Sequence, residues 1–293
     1  MTSVCPLCER GEGEVYLEDG IESLDPSMIG SSRRSVSPGR ILRCPQCGFG
    51  YRQTRFDEQS LAELYSAMDP GVYQAELDGR RRTARRHLQI VHKYIRGGRL
   101  LDIGSASGLF LKLAAEAGWD PTGIEPSPQL CRQAELALVG IGRVLCSVFE
   151  QAALPEASFD AITLWDVLEH VADPVAMLRR CRALLQPGGH LFLNVPDLDS
   201  VEARFLGRRW PLFLAEHLNY FNRPSLAFCG TKAGLTLVRF GRRRAHFSVR
   251  YVFERLLQHR IPGAGLGRHL AQSPLGRLMI PVSLGETYAV WRA

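Results

Sequence analysis

Residues 99–108 read Arg-Leu-Leu-Asp-Ile-Gly-Ser-Ala-Ser-Gly, and this stretch is the main indication of the fold. Its first five residues predict a short buried strand, and Gly104 and Gly108 predict a tight turn after it. From Leu109 onward, apolar side chains recur at helical spacing. A strand, a glycine-rich turn and a helix in this order make a binding arrangement, because the N–H groups at a helix N-terminus attract electron-rich ligand groups.

The next predicted strand, 121–124, adds an acid to this arrangement. Glu125 ends that strand about 20 residues after Asp102, where a carboxylate can accept hydrogen bonds from a ribose diol. The glycine spacing differs from the G-x-G-x-x-G pattern of dinucleotide sites, which disfavours a Rossmann dehydrogenase. Asp102, Gly104, Gly108 and Glu125 therefore predict a nucleoside site.

Strands alternate with helices along the rest of the chain. Further strands are predicted at 143–145, 159–165, 191–195, 235–240 and 287–291, and helices at 80–95, 109–117 and 173–185. This alternation predicts an α/β fold with a doubly wound, mostly parallel sheet of seven strands.

The sequence of the glycine turn, residues 101–108, resembles the first motif of class I S-adenosylmethionine-dependent methyltransferases. Residues 159–174 resemble the fourth-strand segment of the small-molecule branch that contains ubiquinone-pathway O-methyltransferases. Residues 184–193 are similar to the turn and fifth strand of the same Rossmann-like fold. The resemblance covers about residues 85–240 and the final strand, and it departs at Ala106, where many members carry glycine.

The resemblance implies S-adenosylmethionine as the cofactor and a role for each matching residue. Glu125 would hold the ribose hydroxyls, Pro126 would border the adenine and Ser147 would face the adenine amine. Trp165 and Asp166 would end the fourth strand beside the sulfonium. The full set of cofactor residues expected in this way is Asp102, Gly104, Ser105, Gly108, Glu125, Pro126, Ser147, Trp165 and Asp166.

Two histidines are candidates for a general base in methyl transfer, because an imidazole titrates near neutral pH. His217 follows the fifth strand of the sheet, at the edge where open α/β sheets bind ligands, and His170 follows the fourth strand. A structural His217 that caps the next helix is the alternative, as is a structural hydrogen bond for His170. Tyr65, Tyr73 and Tyr220 either line the acceptor side or serve only in packing.

Four cysteines form two C-x-x-C pairs, Cys5 with Cys8 and Cys44 with Cys47. Thiolates at this spacing converge on one tetrahedral ion, so residues 1–52 are predicted to form a zinc ribbon with Zn²⁺ in a structural role. A redox dithiol is the alternative for either pair alone. The remaining cysteines, Cys131, Cys146, Cys181 and Cys229, are interpreted as core residues.

The chain of 293 residues is accordingly divided into three parts: a zinc ribbon at 1–52, a connector with the first helices at 53–98, and the cofactor-binding domain at 99–293. The domain carries a basic insertion at about 241–285, interpreted as a lid or a partner surface. Nine arginines and one acid, Glu254, lie between residues 239 and 277. This charge suits an anionic partner, or it is a solvated basic face.

The composition excludes several classes of protein. Hydrophobic residues make up 45% and charged residues 23%, which is ordinary for a globular protein and unlike a collagen, a coiled coil or a disordered chain. No apolar run approaches the ~20 residues that span a bilayer, and no export signal is visible at the N-terminus. We therefore expect a cytoplasmic protein without a membrane partner.

Two functions from different classes follow. The first is a methyltransferase that acts on an O, C or N atom of a small molecule, such as a sugar, a nucleotide sugar or a secondary metabolite. The second is an RNA methyltransferase, for ribosomal or transfer RNA, that uses the zinc ribbon and the basic region to bind nucleic acid. A binding module with a degenerate cofactor site is a third reading, against which the intact nucleoside residues argue.

Overall fold

The computed structural model describes residues 4–18, 39–54, 76–258 and 267–293. Its strands are β1 (Glu14–Leu17), β2 (Ile41–Arg43), β3 (Gly50–Arg52), β4 (Gly98–Ile103), β5 (Trp119–Ile124), β6 (Arg143–Leu145), β7 (Phe159–Trp165), β8 (Leu185–Pro196), β9 (Asn219–Tyr220), β10 (Thr236–Arg242), β11 (Ala245–Ser248), β12 (Met279–Val282) and β13 (Glu286–Arg292). Its helices are α1 (Leu77–Val91), α2 (Leu109–Glu116), α3 (Pro128–Ala137), α4 (Pro174–Leu184), α5 (Val201–Leu206), α6 (Arg223–Lys232), α7 (Val249–Gln258) and α8 (Arg268–Gln272).

A seven-stranded sheet forms the centre of the molecule and confirms the predicted fold. Its strand order is β10-β13-β8-β7-β4-β5-β6. The pairs from β8 to β6 are parallel, whereas β13 runs antiparallel to both of its neighbours. The carboxyl ends of the parallel strands and the first residue of β13 therefore meet at one edge of the sheet, which is where such sheets bind ligands.

Local sequence signals explain where the helices next to this edge begin. Asp173 accepts hydrogen bonds from the N–H groups of Val175 and Ala176 at the start of α4, and Pro174 occupies the first turn. Asn222 caps α6 in a reciprocal arrangement with Ser225, in which each side chain accepts from the other residue's N–H.

A second sheet joins the cysteine-rich segment to the large domain. Its order is β1-β2-β3-β9, so the fourth strand of the ribbon comes from the chain that follows β8. Phe49 of the ribbon packs on Phe221 with 5.1 Å between ring centroids. Several buried ribbon side chains, among them Leu7 and Leu42, belong to the same apolar cluster as the central strands. The ribbon is therefore packed into the core of the molecule.

The described part of the basic insertion is a β11–β12 hairpin with α7 and α8. It packs on α1: the N–H of His246 donates to Thr83 Oγ1 at 2.8 Å, and Ser248 donates to the carboxylate of Glu76. These contacts give the hairpin a fixed place on the large domain.

Several elements differ from the sequence prediction. Strand β8 begins at Leu185, directly after α4, and not at residue 191 beyond the Pro-Gly-Gly turn. Helix α3 and the short strands β3, β9, β11 and β12 were not predicted. For the strands the reason is their length, because runs of two to four residues carry no periodic signal.

Of the cysteines interpreted as core residues, Cys131, Cys181 and Cys229 are buried, whereas Cys146 is exposed. Cys131 in α3 and Cys146 after β6 form a disulfide with 5.6 Å between their Cα atoms. They are 15 residues apart in the chain and not in a motif, so only the fold brings them together.

Some predictions fall outside the described residues. These are the roles considered for Tyr65 and Tyr73 and the part of the predicted connector at 55–75. Within the ranges that the structure covers, every helix is too short or too polar to cross a membrane.

Candidate cofactor and catalytic site

The glycine turn between β4 and α2 takes a backbone path that most residues avoid. Gly104, Ala106 and Gly108 have φ angles of 75°, 48° and 77°. A Cβ on Gly108 would lie 3.0 Å from the Cβ of Ala134, so the close packing of α2 on α3 also requires glycine. Ala106 accepts the left-handed conformation without being glycine, at a cost of roughly 1–2 kcal/mol.

Glu125 closes this turn from the end of β5. One carboxylate oxygen accepts the N–H of Ala106 and the other accepts the N–H of Ser127, both at 2.8 Å. The side chain is 6% exposed, and burial raises its pKa, while the two N–H groups act in the opposite direction. Two fixed donors thus hold the carboxylate in one orientation at the mouth of the turn.

Asp102 lies beneath the turn, near the end of β4. It is 3% exposed, and Thr163 of β7 donates to it at 2.6 Å. Burial raises the pKa of Asp102 to about 7, although the bond from Thr163 and the charge of Glu125 also contribute, with opposite signs. This carboxyl group therefore titrates near neutral pH.

Several polar atoms around the turn are buried and lack a hydrogen-bond partner among the described residues. They are Ser105 Oγ, Ser147 Oγ and Trp165 Nε1. Ser147 reaches the site because the end of β6 pairs with Glu125, whose N–H donates to the carbonyl of Leu145. Pro126 is half-buried beside them. Unpartnered polar atoms at a buried site are what a bound polar ligand satisfies.

Asp166 directly follows the last residue of β7, and its backbone is left-handed, with a φ of 58°. Residues from β8 and from just after β10 hold it in place. Asn194 of β8 donates to its carboxylate at 2.6 Å and accepts its N–H at 3.3 Å. Arg243, after β10, donates to it at 2.9 Å. Burial alone would raise the pKa of Asp166, but Arg243 and Asn194 lower it to about 2.

The same arginine connects further buried groups. Arg243 also pairs with Glu286 of β13 and donates to His87 Nε2 at 3.4 Å. The ring of His87 stacks on Trp165 with 3.9 Å between centroids. Burial, followed by the charge of Arg243, lowers the pKa of His87 to about 3, so this imidazole is neutral at physiological pH.

Sequence reasoning missed four residues of this cluster: His87, Asn194, Arg243 and Glu286. Asn194 was identifiable in principle as a polar residue near the end of a predicted strand. Arg243 and Glu286 meet because β13 inserts between β8 and β10. No local sequence pattern predicts that insertion. Arg243 was assigned to the basic surface, but the structure makes it an internal counter-ion.

The two predicted bases lie together at the same edge of the sheet. The rings of His170 and His217 are 4.7 Å apart in an edge-to-face contact. Nδ1 of His170 lies 3.1 Å from the carbonyl of Glu216, and Nδ1 of His217 lies 2.9 Å from that of Leu212. A carbonyl requires a donor, so both rings carry their proton on Nδ1 and present Nε2 as the basic atom.

Glu169 completes this cluster and was not predicted, although it directly precedes His170. Ligand atoms of Glu169, His170 and His217 lie within 4.8 Å of one another, and Glu169 Oε2 is buried without a hydrogen-bond partner in the described structure. Burial is the main cause of the pKa shifts in this cluster. It raises the pKa of Glu169, lowers the pKa of His170 to about 4 and lowers the pKa of His217 well below its usual value. Both imidazoles are therefore neutral at pH 7.

The helix-capping role considered for His217 is taken by another residue. Asn222 caps α6, whereas His217 is 4% exposed and faces His170. Tyr220, by contrast, is fully buried and donates to the carbonyl of Leu214, which agrees with packing.

The four predicted metal ligands converge at the far end of the ribbon. The sulfurs of Cys5 and Cys47 are 3.7 Å apart, those of Cys8 and Cys44 are 3.6 Å apart, and all four lie within 4.8 Å of one another. Four sulfurs at ~2.3 Å from a tetrahedral zinc ion would be about 3.8 Å apart. The donor set and its spacing therefore fit Zn²⁺, and they fit it better than two separate redox pairs.

Comparisons with known proteins find relatives of this chain. Residues 73–239 match a family model described as a methyltransferase domain. The chain is 35% identical over 152 residues to a ubiquinone biosynthesis O-methyltransferase of Xanthomonas axonopodis pv. citri, covering 48% of this chain and 64% of that protein. It is 40% identical over 142 residues to one of Xanthomonas oryzae pv. oryzae, covering 45% and 59%. The matches thus span less than two thirds of these relatives.

The chain also resembles a solved structure, and at this low sequence identity the likeness supports the fold only. The chain superimposes on a SAM-dependent methyltransferase of Leishmania major with a TM-score of 0.53 and 13% sequence identity, covering 80% of this chain and 82% of that one.

The raised pKa of Asp102 predicts that the free energy of unfolding depends on pH. An acid whose folded pKa of about 7 exceeds its unfolded pKa of about 4 keeps its proton only in the folded state between these values. Its contribution to the free energy of unfolding therefore falls, by up to about 1.4 kcal/mol per pH unit, as the pH rises from 4 to 7. Urea denaturation of wild type and Asp102→Asn at pH 5, 6 and 8 measures this. We expect the advantage of wild type over the variant to shrink with rising pH and then level off; parallel pH profiles would contradict it.

Proposed function

The chain belongs to the methyltransferase domain family, and from that premise we propose that it transfers a methyl group from S-adenosylmethionine to a small-molecule acceptor. The observation that carries the proposal is the Glu125 carboxylate, fixed by two N–H groups at the mouth of the glycine turn. S-adenosylmethionine supplies a methyl group activated on a sulfonium sulfur.

Glu125 is suited to the ribose of this cofactor. Each of its oxygens accepts one N–H and keeps a further lone-pair site, so two ribose hydroxyls can donate to a carboxylate that is already oriented. Ser147 Oγ, buried and unpartnered in the described structure, is placed for the adenine edge, and Pro126 borders the same space.

Asp166 is suited to the positive end of the cofactor. Its side chain is 46% exposed at the open edge of the sheet, and its low pKa keeps it ionised. A carboxylate that stays ionised at the open edge of the sheet favours a sulfonium there.

His217 is suited to take a proton from the acceptor, with His170 beside it. In-line methyl transfer depends on positioning, which supplies about 7–11 kcal/mol, and a base adds a further factor when the nucleophile is a hydroxyl. Nε2 of the neutral His217 is the proton-accepting atom, and burial is the main cause that lowers the pKa of this ring. An O-methyl transfer matches this base and the names of the Xanthomonas relatives.

The small-molecule reading is favoured over RNA methylation by the burial of the groups at the site. Arg243, which is 11% exposed, pairs with Asp166 and Glu286 and is not available to a phosphate backbone. The candidate base is 4% exposed, which suits an acceptor that enters a narrow pocket.

We further propose that Cys5, Cys8, Cys44 and Cys47 hold one structural Zn²⁺ ion. The four sulfurs have the number, chemistry and spacing of a closed tetrahedral site, with no position left for a catalytic water.

The methyl-transfer proposal predicts a selective loss at Glu125. Purified protein with methyl-labelled S-adenosylmethionine is presented with nucleotide sugars, small phenols and unmodified total RNA. Label is expected in a small molecule, and Glu125→Ala is expected to raise the calorimetric Kd for S-adenosylmethionine at least about tenfold, since it removes charge-assisted hydrogen bonds. Asp120→Ala is the control, because Asp120 is an exposed acid on the same strand. Label found in RNA alone would contradict a small-molecule acceptor and would support RNA methylation instead.

The base proposal predicts a loss of turnover without a loss of cofactor. His217→Gln is expected to lower kcat on a hydroxyl acceptor by roughly 10²–10⁴-fold, and to leave the Kd for S-adenosylmethionine within about twofold of wild type. His269→Gln serves as the control, since His269 is exposed on α8. An unchanged kcat in His217→Gln would assign this histidine to packing.

The metal proposal predicts about one zinc ion per chain, measured by elemental mass spectrometry. Cys44→Ser is expected to lose most of this zinc. Cys229→Ala, which changes a buried thiol outside the cluster, is expected to retain it. Full zinc occupancy in Cys44→Ser would refute the four-cysteine site.

A further inference from the structure

The ribbon and the segment that carries His217 are parts of one sheet. Strand β3 pairs with β9, with Gly50 opposite Tyr220 and Tyr51 opposite Asn219. The N–H of Arg52 extends this ladder by donating to the carbonyl of Leu218 at 3.0 Å. The residues that follow His217 are therefore bonded to the last strand of the ribbon.

The same segment is bonded on its other side to the turn after β7. The N–H groups of Leu218 and Asn219 both donate to the carbonyl of Glu169, at 2.9 and 3.0 Å. The side-chain amide of Asn219 donates to the carbonyls of Leu168 and Val171, at 3.1 and 2.7 Å. The chain that follows His217 is thus fixed between the ribbon and the turn that carries the other histidine.

One ribbon side chain reaches the segment directly. Arg52 is 1% exposed, and its Nη1 donates to the carbonyl of Ala215, two residues before His217. A charged donor on a buried carbonyl is a strong and directional contact. Arg52 therefore binds the segment on both sides of His217, at Ala215 through its side chain and at Leu218 through its backbone.

Two further contacts join the ribbon to the same wall. Leu17 and Ile41 of the ribbon belong to one buried apolar cluster with Trp210 and Tyr220. In addition, Asp199 accepts from Arg43 of β2 at 2.9 Å and from the side chain of Asn222 at 2.8 Å. The loop between β8 and β9 accordingly packs on the ribbon along its length.

The cysteine cluster is directly continuous with β3. Cys44 and Cys47 flank the knuckle, in which Gly48 donates to the carbonyl of Cys44 at 2.9 Å and Cys44 donates to that of Phe49 at 2.8 Å. Strand β3 begins at the next residue, Gly50. A metal ion that crosslinks this knuckle to the first one therefore fixes the strand on which the segment is built.

We propose that the ribbon positions the catalytic histidine: Arg52 sets the location of His217, and metal occupancy of the cysteine cluster is transmitted to His217 through β3. The inference rests on the proposed zinc site and on the proposed role of His217. It assigns the ribbon to the acceptor side of the reaction, and makes Arg52 a positioning residue. A displacement of about 1 Å at a reacting group is enough to lower a rate about 100-fold, so a distant metal acts on turnover by this route.

The test compares Arg52→Leu with Arg40→Leu, which removes a half-exposed arginine of the same ribbon. Arg52→Lys, which keeps one donor, tests for rescue. Three quantities are measured on the full chain: zinc content, amide hydrogen exchange of residues 215–220, and the pKa of His217 by NMR of histidine-labelled protein. The His217 signal is assigned by its absence in His217→Gln. None of these measurements needs the acceptor, and the Kd for S-adenosylmethionine is followed in parallel.

In Arg52→Leu we expect the zinc content and the Kd for S-adenosylmethionine to stay as in wild type. We expect amide exchange at Leu218 and Asn219 to become at least about tenfold faster, and the pKa of His217 to rise by about one unit or more toward its usual value. Chelation of zinc from wild type should produce the same exchange and pKa changes. Arg40→Leu should produce neither, and Arg52→Lys should lie between wild type and Arg52→Leu.

Unchanged exchange and an unchanged His217 pKa in zinc-loaded Arg52→Leu would overturn the proposal. So would a chelated protein that changes its association state, measured by light scattering, without any change at residues 215–220; the ribbon would then be a contact for another chain. Failure of wild type to bind S-adenosylmethionine would instead remove the proposed function, and the exchange and pKa results would still report the coupling.

Discussion

The backbone of residues 215–220 is hydrogen-bonded on both sides, to ribbon strand β3 and to the turn after β7, and the arrangement of the edge that carries His170 and His217 depends on this constraint. Because of it, His170 and His217, which are far apart in sequence, meet with their rings 4.7 Å apart. The constraint also explains why the ribbon shares the core of the large domain: its last strand is paired inside the molecule.

A second constraint is electrostatic. Asp166 follows β7, Arg243 follows β10 and Glu286 begins β13. Their mutual pairing ties the antiparallel part of the sheet to the parallel part. Buried charges are stable only when paired, so the reversed strand β13 brings with it the carboxylate that Arg243 requires. The left-handed Asp166 is held within this network by Asn194, and this leaves its carboxylate at the open edge.

The sequence was sufficient for features that depend on neighbours in the chain. Local sequence patterns predicted the strand, turn and helix at 99–117, the acid at Glu125, the helix that begins at Asp173 and the two cysteine knuckles. The mostly parallel sheet of seven strands followed from the alternation of strands and helices and from the family resemblance, whereas the order of its strands was not predicted. What could not be predicted depends on contacts between distant segments. The pairing of β3 with β9, the Cys131–Cys146 disulfide and the burial of Arg52 and Arg243 have no periodic or motif signal, and two of these residues were arginines that composition alone places on a surface.

Binding of the cofactor at the glycine turn is tested most directly by a crystal structure of the full chain with S-adenosylhomocysteine, the demethylated form of the cofactor. We expect the two ribose hydroxyls within hydrogen-bond distance of the Glu125 carboxylate, the adenine edge at Ser147 Oγ and the sulfur near Trp165 and Asp166. We also expect a metal ion among the four cysteines, with β3 still paired to β9. A nucleoside bound elsewhere, or a Glu125 side chain that turns away from it, would contradict this assignment of the site.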